Sequence, residues 1–228
     1  MYMIGIVAHT SRAQAAHQLM ADTHAAYMNI DNGTLGCTGN HRKVWQWLAD
    51  HNPNPWSVIL EDDAIPCDGF KEQLTQALTH APTPLVSLYL GTGHPRAQQP
   101  HIFHTLNTTT AHYLTTPSTF HAVALALHTG LITDMLTHTQ HARTAIDKTI
   151  STWASLHNPP IHTTYTLPSL IDHTDGPTTT THARRNSQPR KAWQHGTRTT
   201  WDGSTTCLNP APPQQEATAA DTKHYANK

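Results

Sequence analysis

Apolar positions in the first half of the chain switch between short continuous runs and helically spaced sets, a pattern that predicts strands alternating with helices. Residues 2–9 carry Ile4, Ile6 and Val7 and read as a buried strand, 11–26 as a helix, and 27–31 as a second short strand. The loop 32–39, rich in Gly and Thr, precedes a helix expected to resume near Asn40, where Val44, Trp45 and Leu48 recur at helical spacing. That spacing puts Trp45 in the core and leaves Trp47 partly exposed. Asn52-Pro53-Asn54-Pro55 ends the helix before an apolar strand over 56–60. A helix over 68–78 and a strand over 85–90, stopped by Gly91-Thr92-Gly93, continue the alternation.

The middle of the chain is less regular. Residues 96–110 read as a loop, 111–116 and 120–128 as strands, 130–138 and 144–156 as helices, and 161–166 as a last strand. The alternation predicts a single α/β domain over 1–177, with a mainly parallel, Rossmann-like sheet flanked by helices. Ligands in such folds collect at the carboxyl ends of the strands. A basic segment over 178–206 holds Arg184, Arg185, Arg190, Lys191 and Arg198, and 207–228 offers little to bury and reads as a disordered tail.

Composition narrows the function classes. The 228 residues suffice for one domain with a sizeable core. Charged residues make up 13% and the net charge is -1, which argues against a global basic field for nucleic acid or anionic membrane. No apolar run is long enough to span a bilayer, and Met1 to Ala8 lacks the basic start of a signal peptide. Cys37, Cys67 and Cys207 are widely spaced and fit neither a disulfide framework nor a zinc cluster, so a reducing cytoplasm is the expected setting. The 20 histidines are scattered without a repeated ligand spacing and read mostly as surface substitutions.

The strongest chemical signal is Glu61-Asp62-Asp63, delivered where the apolar run 56–60 must end. Adjacent acids repel, and desolvating an unpaired carboxylate costs several kcal/mol, so a bound cation would recover the loss. Hard oxygen ligands suit Mn²⁺ or Mg²⁺, which keep open positions for a substrate's phosphates. Strand alternation turns Glu61 and Asp63 to one side and Asp62 to the other. An ordinary acidic turn is the competing reading. His9 ends the first strand, Arg12 follows it and Asp31 ends the second, which makes them candidates for binding the phosphate, ribose or base of a nucleotide; Arg12 also reads as a solvated helix start and Asp31 as a turn former before Asn32-Gly33.

In order along the chain come Gly36-Cys37-Thr38-Gly39-Asn40-His41, then Ile59-Leu60-Glu61-Asp62-Asp63-Ala64, Ser87-Leu88-Tyr89-Leu90-Gly91, Ala145-Ile146-Asp147 and Leu167-Pro168-Ser169-Leu170. This series resembles glycosyltransferase family 25, the lipooligosaccharide-type sugar transferases, and especially short members encoded by phages of actinobacteria. The similarity covers roughly residues 3–177. Gly39-Asn40-His41 departs from the Ser before His that bacterial members more often show.

The resemblance implies a GT-A fold, a nucleoside-diphosphate sugar donor (a UDP-sugar above others), Mn²⁺ or Mg²⁺, and inversion at the anomeric carbon. It implies that Glu61 and Asp63 hold the metal with His173, otherwise a plain loop histidine, completing the set, and that Asp62 and Gly36 lie against the donor; His41 either touches donor or acceptor or only packs. Asp147, at a helix start whose dipole favours its ionised form, becomes the candidate general base beside Asp63 as the second catalytic carboxylate. The acceptor is open among virion protein, a saccharide and hydroxymethylated DNA, with no membrane partner. The basic segment, with Trp193 and Trp201 interleaved, suits closure over the donor better than tracking of DNA. A nucleotidyltransferase or phosphohydrolase using the same acids, and a non-catalytic sugar-nucleotide-binding module, are the alternatives.

Overall fold

The computed structural model describes residues 1–174 and 190–208. Asp175, Gly176, Arg184 and Arg185 lie outside the described residues, as does 209–228. The chain opens with β1 (Tyr2–His9), a 3-10 turn (Thr10–Arg12), α1 (Ala13–Thr23), β2 (Tyr27–Asp31), α2 (Gly36–His51) and β3 (Trp56–Glu61). These three strands are parallel neighbours, and their register sets His9 opposite Asp31 and Val7 opposite Glu61. Their carboxyl ends therefore open on one edge, which is where the site forms.

Then follow β4 (Ala64–Pro66), α3 (Phe70–Thr79), β5 (Leu85–Ser87), α4 (Gln99–Thr108), β6 (Tyr113–Thr116), β7 (Ala124–His128), α5 (Ile132–Thr139), α6 (Ile146–Leu156), β8 (Thr163–Thr166), β9 (Ile171–His173) and β10 (Thr205–Cys207). The main sheet has eight strands in the order β10-β6-β8-β5-β7-β3-β1-β2, and β4 pairs with β9 in a separate antiparallel ribbon. The α/β fold matches the expectation. The sheet is mixed, because β7 runs antiparallel to both β3 and β5, and β6 antiparallel to β8. Among the described residues, no helix is long and apolar enough to cross a membrane.

Strand alternation divides the core between the two faces of the sheet. Ile4, Ile6, Val58 and Leu60 pack with Leu74 on one face. Val7 and Ile59 pack with Trp45, Leu48, Ile150 and Trp153 on the other. Each such burial contributes about 1.5–3 kcal/mol, so both faces need helices. Gly5 lets α2 lie close to β1: a Cβ there would stand 2.5 Å from Val44 Cγ1. Trp45 is fully buried and Trp47 half-buried, as the helical spacing predicts.

Several elements differ from the sequence reading, among them the unexpected strands β4, β9 and β10. Helix α2 begins at Gly36, a turn before Asn40, because Asp31 accepts the N–H groups of Leu35 and Gly36 and organises the entry to the helix. Residues 99–108 form α4 where a loop was expected; Ile102 is its one fully buried side chain, so the apolar signal was thin. Strand β5 stops at Ser87, since Leu90 donates its N–H to Ser169 Oγ at 2.9 Å and leaves the ladder. Cys207, read as the start of the tail, ends β10, and Leu208 is buried against Leu114 and Tyr165.

Candidate active site

A cleft of about 810 Å³ opens at the carboxyl ends of β1, β2 and β3. Of the residues singled out from sequence, His9, Arg12, Asp31, Gly36, Asp147 and His173 line it, together with the whole acidic triplet. His41 does not. It is fully buried on α2 and reaches the cleft only through Glu61.

Strand β3 ends at Glu61, so the period of two does not carry into the turn and the acids do not alternate as expected. Asp62 and Asp63 instead converge on one guanidinium: Arg12 Nη2 lies 2.7 Å from Asp62 Oδ1 and Nη1 lies 2.8 Å from Asp63 Oδ2. Arg12, expected at a phosphate or in solvent, is engaged in this fork. Asp62 Oδ2 also accepts the N–H of His9 at 2.7 Å. Burial raises the Asp62 pKa against these partners. For Asp63, burial acts in the same upward direction, but His173 and Arg12 outweigh it and hold the carboxyl below its ordinary value.

The ribbon of β4 and β9 explains how His173 arrives. It pairs with Ala64 in register, and Thr174 donates its N–H to the Asp63 carbonyl at 2.9 Å. His173 Nε2 then lies 3.2 Å from Asp63 Oδ2. Asp63 Oδ1 and His173 Nδ1 are buried without a hydrogen-bond partner. That orphaned carboxylate oxygen beside an imidazole is a donor pair that fits a hard divalent ion.

Glu61 stands apart from that pair. Its Oε1 lies 2.8 Å from His41 Nε2, and the group of ligating side chains that gathers among the described residues is Cys37, His41 and Glu61, not the expected Glu61, Asp63 and His173. Burial disfavours the charged form of His41, yet the Cys37 thiol and the Glu61 carboxylate outweigh it and raise its pKa to about 10.

Asp31 serves the turn. Its Oδ2 accepts N–H groups from Gly33 and Gly36 and its Oδ1 that of Leu35, and these backbone donors hold its carboxyl below the ordinary range. Asp147 is in the first turn of α6, where Lys148 donates its N–H to Oδ1 at 2.7 Å. The helix dipole was expected to keep Asp147 ionised. Burial wins instead, with Glu61 reinforcing it, and raises the pKa.

Sequence reasoning missed Tyr89, His94, His121 and Arg143 in the cleft wall. The histidines were hidden in a His-rich background. Tyr89 stacks edge-on with His121 at 5.2 Å, and that contact depends on the break in β5, which no local pattern announces. Of the basic segment, Arg190 lines the cleft. Arg198 turns inward, donating to the carbonyls of Leu167 and Ala111 and lying over the Trp201 ring.

Strand ends that open on one edge of an α/β sheet, with acids and a buried imidazole facing one cleft, define an α/β protein with a ligand-binding crevice at the carboxyl ends of its strands. The family model described as glycosyltransferase family 25 (LPS biosynthesis protein) matches residues 6–145. The chain belongs to this family and is a glycosyltransferase. A search of curated proteins finds no match. The matched region carries β1 through α5 and stops just before α6, so Asp147 and His173 lie beyond it.

Proposed function

We propose that the protein moves a sugar from a nucleoside-diphosphate sugar, a UDP-sugar above others, to an acceptor hydroxyl with inversion at the anomeric carbon. The observation that carries this reading is the pair of unlike acidic groups in one cleft: the Asp63–His173 pair at the strand ends, and the half-buried Asp147 on α6 with its raised pKa. Enzymes that run acid and base chemistry together separate their carboxylates in this way.

The donor diphosphate lies toward Asp62 and Asp63. Asp63 and His173 are the residues to hold Mn²⁺ or Mg²⁺, which when bound neutralises the negative charge of the diphosphate leaving group. Arg12 fixes both acids and keeps Asp63 ionised. Asp147 accepts the proton of the attacking hydroxyl, and its raised pKa brings it nearer to the pH at which it works. Arg143 and Arg190, in the cleft wall, add positive charge for the phosphates.

DNA is disfavoured as the acceptor. Trp201 is buried and donates Nε1–H to Gln73 Oε1 at 2.9 Å, so its ring is not free to stack on bases, and Trp193 is half-buried, anchored to Gln99 Oε1 at 2.8 Å with Phe103 beside its ring at 5.7 Å. An acceptor saccharide or protein hydroxyl remains. Incubation with Mn²⁺ and a panel of sugar nucleotides tests the reading. Release of nucleoside diphosphate, lost in Asp63→Asn, supports it; release of pyrophosphate, or no response to any donor, overturns it.

A further inference from the structure

Beside the proposed hard-metal pair lies a softer set of donors. Cys37 and His41 are four residues apart on the first turns of α2 and so share a face. Glu61, at the end of β3, approaches the same face, and one ligand atom from each of the three lies within 4.8 Å of the others. His41 is fully buried, and its Nδ1 has no hydrogen-bond partner. Cys37 is exposed, and both it and Glu61 line the cleft, so the group is reachable from solvent.

A thiolate, an imidazole and a carboxylate with one open side are the ligand chemistry of a four-coordinate zinc site that keeps one position for water. Bond lengths of about 2.0–2.3 Å require the donors to stand roughly 3.3–3.8 Å apart in a tetrahedron. The three donors already lie within 4.8 Å of one another, and the 2.8 Å hydrogen bond between His41 Nε2 and Glu61 Oε1 is exchanged for two bonds to the ion. We propose that Cys37, His41 and Glu61 form a zinc-binding site in the wall of the cleft, distinct from Asp63 and His173.

Hardness separates the two sites. Thiolate and imidazole favour Zn²⁺ or Co²⁺, and carboxylate oxygens favour Mg²⁺ or Mn²⁺. When the ion binds, the thiol proton and any proton on the coordinating imidazole nitrogen leave to solvent. Occupancy ties up Glu61 and Cys37 in the wall of the cleft, so Zn²⁺ inhibits the proposed sugar transfer. Zinc binding does not depend on the sugar-transfer reading; the inhibition does.

Cobalt titration of the full chain, followed by absorbance, tests the site. A near-ultraviolet thiolate-to-cobalt band is expected in the unaltered protein and in Asp63→Asn and Cys207→Ser. It is expected to vanish in Cys37→Ser, with Zn²⁺ affinity falling at least about 100-fold by competition with a chelating dye. Absence of the band in the unaltered protein, or a band and Zn²⁺ affinity unchanged in Cys37→Ser, overturns the proposal. No donor turnover in the unaltered protein, with its band present, would sink the transfer reading alone.

Discussion

His173 Nε2 rests 3.2 Å from Asp63 Oδ2, a contact made because the short β9 pairs antiparallel with β4 directly after the acidic turn. Two stretches distant in sequence are thus joined in one donor pair by a ribbon that is not part of the main sheet.

Asp63→Asn keeps the size of the side chain and removes the charge that both Arg12 and His173 meet. Turnover is expected to fall by at least about 100-fold, the scale seen when one charge-stabilising partner is removed from a reaction centre. His173→Gln should weaken Mn²⁺ affinity by about 10–100-fold while Asp63 stays in place. Release of nucleoside diphosphate checks the first, and thermal stabilisation by Mn²⁺ with donor, measured across a metal titration, the second.

Asp147 offers a test in which activity and stability move in opposite directions. Burial holds its proton more tightly in the folded state than in the unfolded one, so its ionised form destabilises the fold above the ordinary carboxylate pKa. Asp147→Asn is therefore expected to raise the melting temperature at pH 7 while abolishing transfer and sparing donor binding. In the unaltered enzyme, turnover should fall as pH drops through the raised Asp147 value. An acid limb that survives in Asp147→Asn would assign the base elsewhere.

His121 sets a separate pH dependence. Burial, reinforced by His94, pushes its pKa down to about 3, from an ordinary value of 6.5. Between those values the unfolded chain takes up a proton that the folded chain refuses, so stability declines as pH falls below 6.5. Denaturant unfolding at pH 7 and pH 5 should show this loss, and His121→Phe should reduce it. The two edge-on contacts of His121, with Tyr89 at 5.2 Å and His94 at 6.0 Å, make an aromatic replacement the suitable one.

Gly5→Ala addresses the seat of α2. A methyl group placed 2.5 Å from Val44 Cγ1 forces the helix outward, with a destabilisation of about 1–3 kcal/mol expected for overpacking of this kind. Chemical denaturation reads it directly. The helix carries Cys37 and His41, so the same variant should also disturb the Glu61 side of the cleft.

The first half of the fold was legible because its signals are local. The runs of β1 and β3 and the spacing of Val44, Trp45 and Leu48 each reported burial correctly. The acidic triplet pointed to the cleft that it lines for the same reason, since carboxylates at a buried strand end need partners. What stayed hidden depended on contacts between distant segments. The pairing of Glu61 with His41 in place of Asp63, the fork of Arg12 and the inward turn of Arg198 follow from tertiary packing. Helix α4 stayed hidden because Ile102 alone reports its buried side.

Strand β8 is inserted between β5 and β6, and β10 closes the outer edge beside β6. The region recognised by the family model ends at Ala145 and supplies β5 and β6 without the strand that joins them. Anyone trimming this enzyme to a minimal catalyst must therefore retain the stretch through Leu208. A shorter version would leave Tyr113 and Leu114 facing water and two unsatisfied sheet margins open to aggregation.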